Sequence, residues 1–149
     1  MKVLLQRVSQ ASVSVEDGRK VEIGNGMLVL VGIFPQDGAA EMEWMATKTL
    51  GLRIFPDSTD PNKNMNRSVL DVGGEILAVS QFTLAADTSR GMRPGFSTAA
   101  TPEHARAIYE GYVQKLREHV NVNVETGWFG EYMQVSLTNE GPATFMLER

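Results

Sequence analysis

The segment Met27-Leu28-Val29-Leu30-Val31-Gly32-Ile33 is apolar at successive positions, so a strand built from it has no face left for solvent. Such a strand belongs in the middle of a sheet, and the flanking sequence must supply its neighbours. Lys2 to Val15 reads as one of them. Val3, Leu5 and Val8, then Ala11, Val13 and Val15, alternate with polar residues after a slip in phase that predicts a bulge or bend. Asp17-Gly18 marks a hairpin turn, Lys20 to Ile23 returns antiparallel, and Gly24-Asn25-Gly26 is a second turn, so the opening reads as a meander. Gly24-x-Gly26 does not begin a dinucleotide fingerprint: the third glycine is missing and a strand follows where a helix is required.

Pro35 closes the apolar strand. Asp37 is the expected N-cap of a helix from about Gly38 to Leu50, with Met42, Met45, Ala46, Thr49 and Leu50 on one face. Leu52 to Phe55 reads as a strand, and Pro56 to Asn66, with Pro61-Asn62 inside it, as a polar surface turn. Ser68 to Val72 and Glu75 to Thr83 read as strands about a Gly73-Gly74 hairpin turn. After a loop from Leu84, Thr101-Pro102-Glu103 carries the N-cap, first-position proline and first-turn acid of a second helix. That helix runs to about His119, with Ala105, Ile108, Tyr109, Tyr112, Val113 and Leu116 as its apolar stripe. Val120 to Glu125, Gln134 to Thr138 and Ala143 to Leu147 read as the closing strands. Hairpin-linked strands with two inserted helices predict an α+β fold, a mostly antiparallel, barrel-like sheet with two main helices in a single domain spanning residues 1–149.

Composition narrows the function classes. A chain of 149 residues, 42% hydrophobic and 21% charged, is long enough to bury a core without disulfides or metals as staples. It has no cysteine, hence no thiol nucleophile and no thiolate metal site. The start is too briefly apolar for a signal peptide and no run is long enough to span a bilayer, so the expectation is a soluble, cytoplasmic protein with no membrane partner. A net charge of -4 argues against a broad phosphate-gripping surface; nucleic acid, if bound, is touched at few phosphates.

Two polar islands interrupt the apolar pattern: Ser80-Gln81-Phe82-Thr83, and Asn139-Glu140-Gly141-Pro142-Ala143-Thr144. Burying a hydroxyl or amide without a partner costs roughly 1 to 3 kcal/mol, so the first island either caps backbone at a strand end or faces a ligand. The second is a Gly-Pro turn between strands unless its proline fixes a carbonyl for use. Thr83 is a nucleophile only if something activates it. His104 and His119 fall on or at the end of the second helix, outside any His-x-x-x-His or carboxylate cluster, so neither a metal nor another cofactor is expected.

With Gln6-Arg7-Val8, these islands make the chain resemble the D-aminoacyl-tRNA deacylases. Ser80-Gln81-Phe82-Thr83-Leu84 matches one signature of that family, and Asn139 to Thr144 matches the other except that Ala143 stands where valine is usual. Gly51 to Phe55, Ala85 to Thr88 and Arg90 to Pro94 extend the match from end to end. The resemblance implies a homodimer that hydrolyses the ester of a D-amino acid on the 3' acceptor end of tRNA, and of glycine mischarged on tRNA-Ala. It also implies that a cis Gly141-Pro142 element enters the partner's pocket, takes the substrate's α-amino group on its carbonyls and excludes L-amino acids, with Arg7 bracing it. On the same footing, Ser80 and Gln81 position the ester and adenosine, Phe82 and Met133 pack near the base, backbone N–H groups near Phe82 and Thr83 polarise the carbonyl, and the ribose 2'-hydroxyl helps activate water. Asn139 and Thr144 flank the Gly-Pro element as substrate-site residues. Arg90 and Arg93 are natural contacts for terminal phosphates or solvated loop arginines. Two competing readings are a hydrolase with Thr83 as nucleophile and a non-catalytic dimer that binds the acceptor end.

Overall fold

A computed structural model describes residues 1–60 and 62–149; the expected turn at Pro61 lies outside the described residues. The chain order is β1 (Lys2–Val15), β2 (Lys20–Ile23), β3 (Gly26–Gly32), α1 (Ala39–Gly51), α2 (Val69–Val72), β4 (Glu75–Ser80), a 3-10 turn (Phe82–Ala85), α3 (Pro102–Arg117), β5 (Val124–Thr126) and β6 (Met133–Glu148).

β1 is the spine. β6 follows one of its edges from Lys2 to Val15, leaving the other to β2 and β3. Those two pair with β1 in one unbroken antiparallel register, Ala11 opposite Ile23 and Val8 opposite Gly26. Gly24-Asn25 therefore steps the chain forward rather than reversing it, and the expected meander is a single hairpin with an interrupted return arm. β3 pairs in parallel with β4, and β4 with β5. The sheet is thus mixed, antiparallel around β1 and parallel beyond β3, and it curls toward a barrel with β2 brought near β4 and β5.

The doubly apolar β3 is covered on both faces. Met27, Val29 and Val31 pack with Met45, Leu50, Tyr109, Tyr112 and Leu116 under α1 and α3, while Leu28 joins Val8, Ala11, Val13, Leu77 and Val79 on the opposite face. Val3 and Leu5 face the helices, but Ala11 and Val13, of the same parity, face away. The exchange is made where the β1–β6 register slips between Val8 and Gln10, which is the phase slip the alternation predicts. Tyr112 is fully buried with its hydroxyl 2.8 Å from Thr49 Oγ1, and Tyr109 donates to the Ala78 carbonyl at 2.9 Å. Burial pushes both phenols well above their ordinary pKa, so they stay neutral.

Four local expectations are corrected. Ser68–Val72 is not a strand: Ser68 and Asp71 cap each other's backbone N–H groups, and Gly73 at φ 60 ends the single turn of α2. With no hairpin there, β4 crosses over to run parallel to β3. Leu52–Phe55 forms only one bridge, Phe55 to Arg67. Asp37 does not cap α1; Glu41 accepts the Gly38 N–H at 3.0 Å, and the buried Asp37 carboxylate accepts instead from the Met1 ammonium at 2.6 Å. The expected last pair of strands is one strand, β6, with the Gly-Pro segment bulged out of it. Among the described residues no helix is long and apolar enough to cross a membrane.

Candidate functional site

β4 delivers the first motif. The ladder to β3 makes its final contact where Gln81 N–H donates to Val31 O at 2.7 Å, and the chain then winds into the 3-10 turn. Gly32 permits this: a β-carbon there would stand 2.7 Å from Leu84 Cβ. Ser80 is half-buried at the strand end, whereas Phe82 is 57% exposed. The Gln81 side-chain amide donates to Thr83 Oγ1 at 2.5 Å. At the start of a 3-10 turn the N–H groups of Phe82 and Thr83 have no acceptor inside the turn.

A cavity of about 440 Å³ opens beside this turn, bounded by Ser80, Gln81, Phe82, Phe129, Tyr132 and Met133. Its lining is mostly apolar, with Ser80, Gln81 and Glu131 among its polar groups, the usual make-up of a small-molecule site. Met133 is held by the Trp128 N–H, which donates to its sulfur at 3.3 Å. A larger concavity of about 630 Å³ lies over β1 and β2, between Ser12, Lys20, Glu22 and Ser136. It holds no motif residue, and its Lys20 and Glu22 satisfy each other at 2.6 Å.

The second motif is built by a mismatch of strand lengths. Gln6 stands opposite Thr144 and Gln10 opposite Thr138, so residues 7–9 of β1 face residues 139–143 of β6 and the surplus is extruded. The Asn139 side-chain amide closes the neck, donating to Arg7 O at 2.9 Å and to Ala143 O at 3.0 Å. Ala143 is buried beneath, Gly141 and Pro142 are exposed, and Gln6 Nε2 donates to Thr144 Oγ1 at 3.3 Å. Arg7 is only 7% exposed, so it is no solvated strand arginine. Its Nη1 donates to Ile54 O at 2.6 Å and Asn64 O at 3.2 Å, its Nε lies 3.4 Å from the Glu140 carboxylate, and its Nη2 abuts Gly141. Gly141 has φ +113, a region that favours glycine.

The cis bond implied by the family resemblance is absent: no described peptide bond is cis, and Gly141-Pro142 is trans. An X-Pro bond favours trans by about 0.5–1 kcal/mol unless surrounding contacts reverse it.

The structure therefore brings Ser80, Gln81, Phe82 and Met133 to one cavity, and Arg7, Asn139 and Thr144 to the base of Gly141-Pro142, but it keeps the two groups apart within one chain. His104 and His119 border neither; His104 Nε2 lies 2.8 Å from Asp37 O. Sequence periodicity does not mark Phe129 and Tyr132; their signal is the aromatic density of Trp128, Phe129 and Tyr132 ahead of β6, which a period-based reading treats as loop.

Residues 4–148 match the family described as D-Tyr-tRNA(Tyr) deacylase. A protein named D-aminoacyl-tRNA deacylase from Prosthecochloris aestuarii is 51% identical over 148 residues, 99% of each chain. One of the same name from Stenotrophomonas maltophilia is 52% identical over 147 residues, again 99% of each. The solved structure of a c-Myc DNA Unwinding Element Binding Protein superposes with a TM-score of 0.90 at 41% identity, covering 100% of this chain and 99% of that one. A probable eukaryotic D-amino acid tRNA deacylase superposes with a TM-score of 0.83 at 21% identity over 98% and 97% of the two chains, a likeness of fold. Matched from end to end by that family and at half identity by its members, the chain belongs to the D-aminoacyl-tRNA deacylase family of hydrolases.

Proposed function

We propose that this protein hydrolyses the ester joining a D-amino acid to the terminal adenosine of tRNA, and the glycyl ester mischarged on tRNA-Ala. The observation that carries the reading is the separation of the two motifs: Ser80, Gln81 and Phe82 edge a cavity, while Gly141 and Pro142 stand outside it on a clamped bulge. A homodimer unites them, each chain's Gly141-Pro142 entering the other's cavity to give two composite sites about a two-fold axis. The substrate ammonium is then taken by the Gly141-Pro142 carbonyls and the ester is held near Ser80 and Gln81. With those points fixed, an L side chain runs into the bulge backbone, a D side chain turns away, and glycine has nothing to exclude. Arg7 keeps the bulge in place.

Water is the nucleophile in this reading, activated with the help of the ribose 2'-hydroxyl, and the N–H groups of Phe82 and Thr83 polarise the ester carbonyl. Among the described residues Thr83 Oγ1 is hydrogen-bonded only by the Gln81 amide, a donor, and none of them draws off its proton. Phe82 and Met133 pack near the base. Such an enzyme works in the cytoplasm, where charged tRNA is made. The acidic charge gives no support to duplex DNA as an alternative ligand.

The test is deacylation of matched D-tyrosyl-, L-tyrosyl- and glycyl-tRNA. D and glycyl esters should be cleaved and the L ester spared; comparable D and L rates refute chiral exclusion. A sedimenting monomer that retains full activity refutes the composite site.

A further inference from the structure

Beyond the cavity, the loop after the 3-10 turn carries a cluster of side chains that a folded chain does not ordinarily leave in water. Met92 is 100% exposed and Phe96 40% exposed, and the Phe96 ring packs on Phe82 with centroids 5.0 Å apart and planes tilted at 55°. Phe82 edges the cavity and Phe96 does not, so the pair carries an aromatic surface from the cavity mouth out onto the loop. Arg90 and Arg93 are exposed on the turn at Gly91, whose φ is +67, and neither is paired with a carboxylate among the described residues. In a chain of net charge -4 this is a local excess of positive charge.

The loop is held in shape without a ligand. Asp87 N–H donates to Gly95 O at 2.8 Å and Gly95 N–H to Asp87 O at 2.9 Å, closing its neck. Thr98 Oγ1 donates to Ala85 O at 2.5 Å. The nearest acid in sequence, Asp87, is committed to its own turn, accepting the Ser89 N–H at 2.9 Å. Little ordering cost is therefore left for a ligand to meet.

We propose that this loop is a second nucleotide subsite, which receives the single-stranded nucleotides preceding the terminal adenosine. The inference rests on the reading that charged tRNA is the substrate. The base next to the terminal nucleoside stacks on Phe96, and the phosphates on either side of it are met by Arg90 and Arg93. Aromatic stacking tolerates any base because every base has a π face, and guanidinium groups grip phosphate without reading sequence. The subsite thus recognises an unpaired 3' end rather than a particular tRNA.

Three substrates separate the subsites: D-tyrosyl-adenosine, a D-tyrosyl ester of the trinucleotide CCA, and D-tyrosyl-tRNA. The parent should prefer the trinucleotide to the nucleoside. The double variant Arg90→Ala/Arg93→Ala should lose about tenfold in kcat/KM at 0.15 M salt on the two longer substrates, with a salt slope shallower by about 1.4, from about 0.7 per phosphate contact on a single strand. Phe96→Ala should lose about fivefold or more on the same two. The arginine double variant should match the parent on D-tyrosyl-adenosine, and Arg90→Lys/Arg93→Lys should restore most of its loss on the two longer substrates. Equal rates for parent and double variant on all three substrates, or equal losses that include the nucleoside, overturn the subsite. If the parent cleaves none of them, the deacylase reading fails, and binding of uncharged CCA against adenosine, parent beside double variant, still decides the loop.

Discussion

Replacing Gly141 by alanine tests how the bulge is held. Two independent costs arise. At φ +113 an L residue is strained, by about 1–3 kcal/mol. An added β-carbon would also lie 2.5 Å from Arg7 Nη2, well inside contact distance. Arg7 cannot swing clear freely, because Nη1 is bonded to Ile54 O and Asn64 O and the side chain is buried. Retreat therefore sacrifices part of a charge-assisted hydrogen bond, each such bond contributing about 1.5–3 kcal/mol. Some of this is relieved by movement of the exposed bulge, so the net loss is about 3 kcal/mol. For a chain of this length that corresponds to a fall of roughly 6–12 °C in Tm. Thermal unfolding followed by circular dichroism measures it, with Pro142→Ala as a control that leaves the φ and the Arg7 contact alone. A Gly141→Ala variant melting within about 2 °C of the parent would refute the idea that Arg7 and the backbone together fix this element.

Two further outcomes concern Thr83 and the Asp57 turn, where Asp57 accepts from the Thr59 N–H at 3.0 Å, the Thr59 hydroxyl at 2.7 Å and the Asn66 amide at 2.7 Å. Thr83→Ala should keep deacylase activity within about tenfold of the parent, since it removes a hydroxyl that no base activates; a loss beyond about a thousandfold would restore the threonine nucleophile. Asp57 is held down to about 2 by the Thr59 side chain and N–H and by the Asn66 amide, so its contribution is complete above its ordinary value near 4 and is lost as pH falls from about 4 to 2. Asp57→Asn should lower stability at neutral pH and leave it nearly unchanged near pH 2, flattening the acid limb in that window; an unaltered acid limb would show that these bonds add nothing to stability.

The elements the sequence places correctly are those whose signal is local and self-consistent. The two-faced β3, the phase slip in β1 and the Thr101-Pro102 start of α3 each depend on side chains read against a fixed period, and each is found. The errors fall where the deciding contact is remote or where two local signals compete. Gly73-Gly74 resembles a hairpin turn, but the Ser68–Asp71 cap had already closed a helical turn before it. Asp37 looks like a cap until the Met1 ammonium, distant in sequence, claims it. The site shows the same division. Both motifs are visible as polar interruptions of apolar strands, whereas the aromatic wall from Phe129 to Tyr132 and the Phe82–Phe96 pair arise from folding of loops that have no period to read.

The bulge in β6 also bears on how this chain tolerates insertions. Phe145 and Leu147, beyond it, pack with the core under the helices, while Met133 and Val135, before it, pack with the core on the other face. Both arms of β6 are paired with β1, residues 144–148 with 2–6 and residues 133–138 with 10–15, so a residue added to 140–143 is extruded with the rest and leaves Phe145 and Leu147 facing the core. Exposed turns usually vary in length freely. Here a change in length leaves the fold intact and alters instead how far Gly141-Pro142 stands out from the sheet, so the reach of the element can vary without disturbing the core.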